Sequence, residues 1–280
     1  MPVTIAFAHA TGFCGAVWRP VVDALTPGFA AVTWDFPNHG SGPRVPLPLN
    51  WWVFGEWARK QVADLAHPIV GVGHSMGGAA LVMAELLSPN TFSALVLIEP
   101  MILPPPYRRT EGDLSRGVRK RKRAFDSRQA ARENFASKPP FDKWHPAALD
   151  GYIDCGLIES EAGAILACTP EAESDIYQGA TAHGAWGRAG EIDVPTLIMA
   201  GSDSDVFPAD YARSVANQFG RAGSEIVARA DHFLPMEHPE VIARRIDRIS
   251  RGLATSANEP AEPSPSIEDP GPAEPEPALP

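Results

Sequence analysis

Short apolar blocks and helix-spaced stretches alternate along the first hundred residues. Residues 3–8 form a largely apolar run of strand length, and residues 30–34, 69–73 and 94–98 repeat that character. Runs of this kind, bounded by turn signals, read as strands buried on both faces. Between them, residues 16–25, 51–66 and 78–87 carry helical spacing, the first closed by Pro27-Gly28. Strand and helix alternating at this period predict right-handed crossovers and a parallel sheet covered by helices on both faces.

The alternation stops at Glu99-Pro100. From there to about residue 194 the chain is charged, proline-bearing and helical, with no run that reads as a buried strand. Strand and helix then resume at 196–200, 210–219 and 225–230, and residues 239–253 form a closing helix. The expected organisation is a core made of residues 1–100 and 191–253, with a helical lid, residues 101–190, inserted between its halves. Residues 254–280 contain eight prolines and few large apolar side chains. Such a segment buries too little surface to offset its ordering entropy, so it reads as a disordered tail.

Composition sharpens this picture only in places. A chain of 280 residues that is 44% hydrophobic can bury a full core. The net charge is −10, but six acids and no Lys or Arg lie in residues 259–280, so the remainder carries only about −4. No field of one sign on the folded part calls for nucleic acid or a membrane. The basic run Arg119-Lys120-Arg121-Lys122-Arg123 reads as a solvated face partnered by nearby acids. Cys14, Cys155 and Cys168 are few, odd in number and far apart, which fits a reducing cytoplasm and no disulfide framework. The apolar start lacks a basic region and is short for a signal peptide, and no run is long enough to span a membrane.

The chemistry centres on Gly71-Val-Gly73-His74-Ser75-Met76-Gly77-Gly78. Gly73-x-Ser75-x-Gly77, between a buried strand and an apolar helix, is the pattern of a nucleophile elbow. A serine at the tip of so sharp a turn is strained, and its neighbours must be nearly free of side chains. In an open parallel sheet, sites gather at the carboxyl ends of the strands. There the chain places His9 and Thr11, residues 35–41, Ser75, Glu99, Asp203 and Asp205, and Asp231-His232. Serine needs a histidine to take its proton, and the histidine needs a carboxylate to orient it. His232, after the last strand, suits the base. His9 and His39 sit at turns, and His74 is read as pointing away from the elbow tip. Trp51, Trp52, Phe54 and Trp57 read as packing.

Over about 250 residues the chain resembles the α/β-hydrolase superfamily. The resemblance rests on His9 to Phe13 with Trp18, on Asp35-x-x-Asn38-His39-Gly40-x-Gly42, on the elbow, and on His232 with Glu237 and Pro239. It implies an α/β-hydrolase fold, here shortened at its start, with an oxyanion hole from the backbone N–H groups of Met76 and Thr11 or its neighbours. Members usually carry the triad acid after the penultimate strand, where Gly201-Ser202-Asp203-Ser204-Asp205 stands, and some take it from the strand end occupied by Glu99. Asp205 is placed slightly ahead of Glu99, with Asp203 third. The activity implied is a cofactor-free and metal-free serine hydrolase acting on a small ester or lactone, with a mostly apolar pocket. Carbon–carbon bond hydrolysis by the same triad is one alternative. A non-catalytic ligand-binding or scaffold protein on the same fold is the other.

Overall fold

The computed structural model describes residues 3–161 and 163–256. The first strand, β1 (Thr4–Ala8), leads through a 3-10 turn (Gly15–Trp18) into α1 (Arg19–Asp23) and β2 (Ala30–Thr33). Then follow α2 (Trp52–Val62), β3 (Ile69–His74), α3 (Met76–Leu87) and β4 (Ala94–Ile98). The inserted region holds α4 (Asp113–Val118), β5 (Ala124–Phe125), α5 (Arg128–Ala136) and α6 (Pro146–Cys155), then β6 (Leu157–Ser160), β7 (Gly163–Leu166) and α7 (Pro170–Gly179). The core resumes with β8 (Thr196–Gly201), α8 (Ala209–Ala216) and β9 (Ala222–Val227), and ends with α9 (Leu234–Glu237) and α10 (Pro239–Ser256). The segment read as a disordered tail lies, from residue 257 onward, outside the described residues.

Six strands form one parallel sheet in the order β2-β1-β3-β4-β8-β9. Its central members β1, β3 and β4 are buried along their whole length. Alternate residues feed opposite sides: Ala6, Ala8 and Leu95 pack with Phe54 and Leu81, while Ile5, Phe7 and Val96 pack with Val21 and Ile242. This double burial is why the strands carry unbroken apolar runs, and each large side chain withdrawn from water contributes about 1.5–3 kcal/mol.

Three expectations need correction. β2 was expected to be a second buried strand, but it is an edge strand and largely exposed; a short apolar run does not say whether both of its neighbours exist. β9 begins at Ala222, ahead of the expected 225, because Gly223 and Ser224 pair with Leu197 and Ile198 despite their weak strand character. The lid is not purely helical. It carries a small antiparallel sheet, β5-β7-β6, whose strands of two to four residues are too short to leave a periodic signal.

A fourth correction concerns the cysteines. Cys14, just past the first loop, is bonded to Cys155 at the end of α6, with their Cα atoms 6.2 Å apart. The bond ties the lid to the core loop across 141 residues of sequence, a pairing that spacing alone cannot reveal. Cys168 is the free, buried thiol. The cysteine argument for a reducing compartment therefore no longer holds. Among the described residues, no helix is long and apolar enough to cross a membrane.

Candidate active site

Ser75 is the single residue between β3 and α3, with φ 54° and ψ −113°. A side chain held in this sparsely populated region costs of order 1–3 kcal/mol, and neighbouring bonds maintain it. Its N–H donates to the Ile98 carbonyl at 2.9 Å, and its own carbonyl accepts from Ala79 and Met101 at 3.2 and 3.1 Å. The flanking glycines are required by close approach. A Cβ on Gly73 would lie 2.7 Å from the backbone of Gly78, and one on Gly77 only 2.2 Å from the Ala8 carbonyl oxygen. Gly77→Ala is therefore expected to push the first loop off the elbow, lowering ester turnover at least tenfold and stability by about 1–3 kcal/mol. Parallel kinetic and urea-unfolding measurements check this; wild-type values in both would contradict it.

Behind the elbow, Met76 opens α3, so its backbone N–H is one of the first-turn donors without a helical acceptor. Thr11 belongs to the loop after β1 and lines the same cavity as Ser75 and His232. That loop turns through Phe13 N–H to the Ala10 carbonyl (3.3 Å) and is pinned by His9. The His9 Nδ1–H donates to the Ala10 carbonyl at 2.8 Å and Nε2 accepts from Phe36 N–H at 3.1 Å, which fixes one neutral tautomer. Burial holds its pKa below the ordinary value.

His232 places Nδ1 2.6 Å from Glu99 Oε2. Glu99 is fully buried at the end of β4, and its carboxylate also accepts from Gly201 N–H and from the Ser204 hydroxyl, each at 2.8 Å. Ser204 in turn accepts from Phe207 N–H at 3.1 Å. A buried carboxylate with three donors is satisfied as an anion and held rigidly. Its backbone, at φ 46°, is strained like that of Ser75.

Of the two acids, it is Glu99, placed second to Asp205 in the sequence reading, that is bonded to His232. Asp205 is exposed at the cavity rim, and Asp203 is exposed with its carboxylate on the Ser202 hydroxyl. β4 and β8 are neighbours, so residues after both strands meet at one carboxylate, and it is Glu99, after β4, that contacts the imidazole. Ser204 stands where an acid after β8 would stand and donates to Glu99 instead. Its position was visible in the sequence, but its partner was not.

His74 does not line the cavity that holds Ser75. It is buried, and its Nε2–H donates to the His232 carbonyl at 2.8 Å, with the two rings 4.9 Å apart. Burial holds its pKa well below the ordinary value, so the ring is neutral and anchors the His232 loop. Its place beside Ser75 was the only sequence signal for this.

Several histidines are held neutral by burial, which gives a testable acid lability. Burial, assisted by the nearby His9, brings His39 down to about 3, and burial brings His183 down to about 4. Above pH 6.5 both folded and unfolded chains keep these rings neutral, and full stability is present. As pH falls below 6.5 the unfolded chain takes up protons that the folded chain refuses, so stability declines until about pH 4 for His183 and about pH 3 for His39. His183 alone is expected to account for roughly 2–4 kcal/mol of this loss. Urea unfolding across this range checks it, and a His183→Gln protein should show a shallower slope.

A cavity of about 990 Å³ joins Ser75, Thr11 and His232 to the lid. Phe13, Phe141 and Phe233 line it, and Trp51 and Tyr177 contribute as well. Trp144 and Tyr152 belong instead to the aromatic packing around Phe13 and Phe141, and Trp186 stacks on Tyr211 at 6.0 Å. Among the described residues, Cys14, Cys155 and Asp35 are the one group close enough to share a metal ion, but the sulfurs are bonded to each other. Asp35 already accepts from Gly15 and Ser41.

A family model described as the alpha/beta hydrolase family matches residues 5–245. The chain is 26% identical over 225 residues to an abhydrolase domain-containing protein of Alternaria alternata, ACTT2-1, covering 66% of this chain and 85% of that one. It is 25% identical over 222 residues to the esterase YbfF of Escherichia coli, covering 76% of this chain and 80% of that one. Its fold is similar to that of the peroxisomal alpha-beta-hydrolase Lpx1 of Saccharomyces cerevisiae, with a TM-score of 0.82, 18% identity, and 96% and 80% of the two chains covered.

Proposed function

Since the chain belongs to the alpha/beta hydrolase family, we propose that it is a serine hydrolase that cleaves a small carboxylic ester or lactone through an acyl-enzyme. The observation that carries this reading is the contact of the buried Glu99 with His232 at 2.6 Å, with His232 and the strained Ser75 lining one cavity. Glu99 accepts the Nδ1–H of His232, which leaves Nε2 as the ring nitrogen that can take a proton. Ser75 Oγ attacks the substrate carbonyl as His232 Nε2 accepts its proton. The tetrahedral oxyanion is met by the backbone N–H groups of Met76 and of Thr11 in the first loop. His232 then gives the proton to the leaving alcohol, activates a water against the acyl-enzyme, and returns the proton to Ser75. The buried Glu99 carboxylate stabilises the imidazolium at each transfer.

Asp205 has no part in this sequence of steps. No metal or organic cofactor is required, because a serine, a neutral imidazole and backbone dipoles supply nucleophile, base and oxyanion stabilisation. The aromatic walls fit an acyl chain or ring of modest size. The test is turnover by the purified protein of short- and medium-chain p-nitrophenyl esters and small lactones. Hydrolysis that varies with chain length is expected. A protein that leaves every ester and lactone intact contradicts the proposed reaction.

A further inference from the structure

The basic run of the lid divides in a way its sequence does not announce. Each of its arginines is matched to a carboxylate: Arg119 to Glu111 at 3.0 Å, Arg121 to Glu173 at 2.5 Å and Arg123 to Glu171. The lysines between them are not. Among the described residues, neither Lys120 nor Lys122 lies within ion-pair distance of an acid, and the same holds for Lys138 at the end of α5. All three line the cavity that contains Ser75. Lys122 Nζ sits 4.9 Å above the Phe125 ring, and Lys138 donates to Asn134 Oδ1 at 2.9 Å. Phe125 and Asn134 are themselves part of the cavity wall.

Arg121, in the middle of the run, reaches the first loop with its guanidinium. The Arg121 guanidinium is 3.6 Å, and the Glu173 carboxylate 2.8 Å, from where a Cβ on Gly12 would be, next to Thr11. Tyr152 and Glu173 outweigh the effect of burial on Arg121 and hold it charged. Its pairing with Glu173 anchors the run between the two lysines that line the cavity. The carboxylates that line the cavity without belonging to the lid stand at the strand ends, after β8 and β9. There Asp231 is paired with Lys143 at 3.2 Å, while Asp203 and Asp205 have no cation within ion-pair distance among the described residues. A cavity with unpaired ammonium groups on its lid and unpaired carboxylates at the strand ends orients a charged ligand.

We propose that the substrate carries an anionic group, a carboxylate or a phosphate, remote from its scissile carbonyl, and that Lys120, Lys122 and Lys138 receive it. This rests on the serine-hydrolase reading of the same cavity. The apolar walls hold the chain between the two ends of the substrate, and the carboxylates at the strand ends exclude the reverse orientation. Partly solvated ion pairs are individually weak, so three acting together are expected to give about a tenfold preference.

The test compares p-nitrophenyl octanoate with two analogues of the same length, p-nitrophenyl hydrogen suberate and p-nitrophenyl 7-phosphonoheptanoate. The expected kcat/KM is about tenfold higher for at least one anionic ester, falling towards the neutral value in 0.5 M NaCl. In the K120Q/K122Q/K138Q protein the preference disappears through KM, while turnover of the neutral octanoate is retained. The more favoured of the two anions identifies the source. Equal or poorer use of both anionic esters, or a preference that survives the triple substitution, overturns the proposal while leaving the hydrolase reading intact. Binding of monomethyl suberate to the Ser75→Ala protein, measured by calorimetry, does not depend on turnover. Tenfold weaker binding on adding the three glutamines supports the lysine site even if no ester is cleaved, and unchanged or absent binding overturns it.

Discussion

Ser75→Ala is expected to lower kcat on a p-nitrophenyl ester by about 10⁵- to 10⁶-fold. The serine is the only group at the elbow that can form a covalent acyl intermediate, and no neighbour replaces it: Met76 and His74 flank it, and the His74 ring is committed to the His232 carbonyl. The variant keeps the backbone donors of the first turn, so the activity that remains is what binding and oxyanion stabilisation supply without a nucleophile. Alanine adopts the φ of 54° no less readily than serine, so the folded state is expected to persist, with a melting temperature close to that of the wild type. Stopped assays on protein free of wild-type contamination measure the first effect and thermal unfolding the second. A variant with more than a few per cent of wild-type turnover would remove Ser75 from the mechanism.

Glu99→Gln carries the second large effect, about 10⁴-fold in kcat. The amide nearly matches the carboxylate in shape; with its oxygen on Gly201 N–H, its NH₂ group takes the place of Oε2 and faces the Ser204 hydroxyl and His232 Nδ1. What it loses is the charge that favours the imidazolium, and its NH₂ group can enforce the wrong tautomer of His232. Asp205→Asn is expected to stay within about threefold of wild type, because Asp205 is an exposed rim residue and Nδ1 of His232 is already engaged. A further variant separates position from identity. The Ser204 hydroxyl lies 2.8 Å from Glu99 Oε2, so an aspartate at 204 reaches the same imidazole from the end of β8. Glu99→Ala combined with Ser204→Asp is therefore expected to recover at least about tenfold over Glu99→Ala alone. A large loss in Asp205→Asn with an active Glu99→Gln would reverse the assignment.

Much of this architecture was readable because it is encoded locally. The apolar runs of β1, β3 and β4 follow from burial on both faces, and the glycines around Ser75 follow from backbone contacts made within one turn and the adjacent strand. What could not be read depends on partners distant in sequence. Glu99 and Asp205 stand at the ends of adjacent strands, and only the packed sheet determines which carboxylate reaches His232. The Cys14–Cys155 bond closes across a lid whose fold had to be known first. The lid strands are too short for periodicity, and β2 looks like a central strand until its missing neighbour is seen. The basic run was read as a single solvated face, but its arginines and lysines have different surroundings, a distinction that composition cannot make.

The central claim is that Ser75 is an activated nucleophile, and covalent labelling tests it without knowledge of the substrate. The protein is treated with a fluorophosphonate, digested, and the modified peptide sequenced by mass spectrometry. The account predicts stoichiometric modification of Ser75, sharply slowed in the Glu99→Gln protein and absent in the Ser75→Ala protein. An unmodified Ser75, or a label carried by another residue, would contradict it.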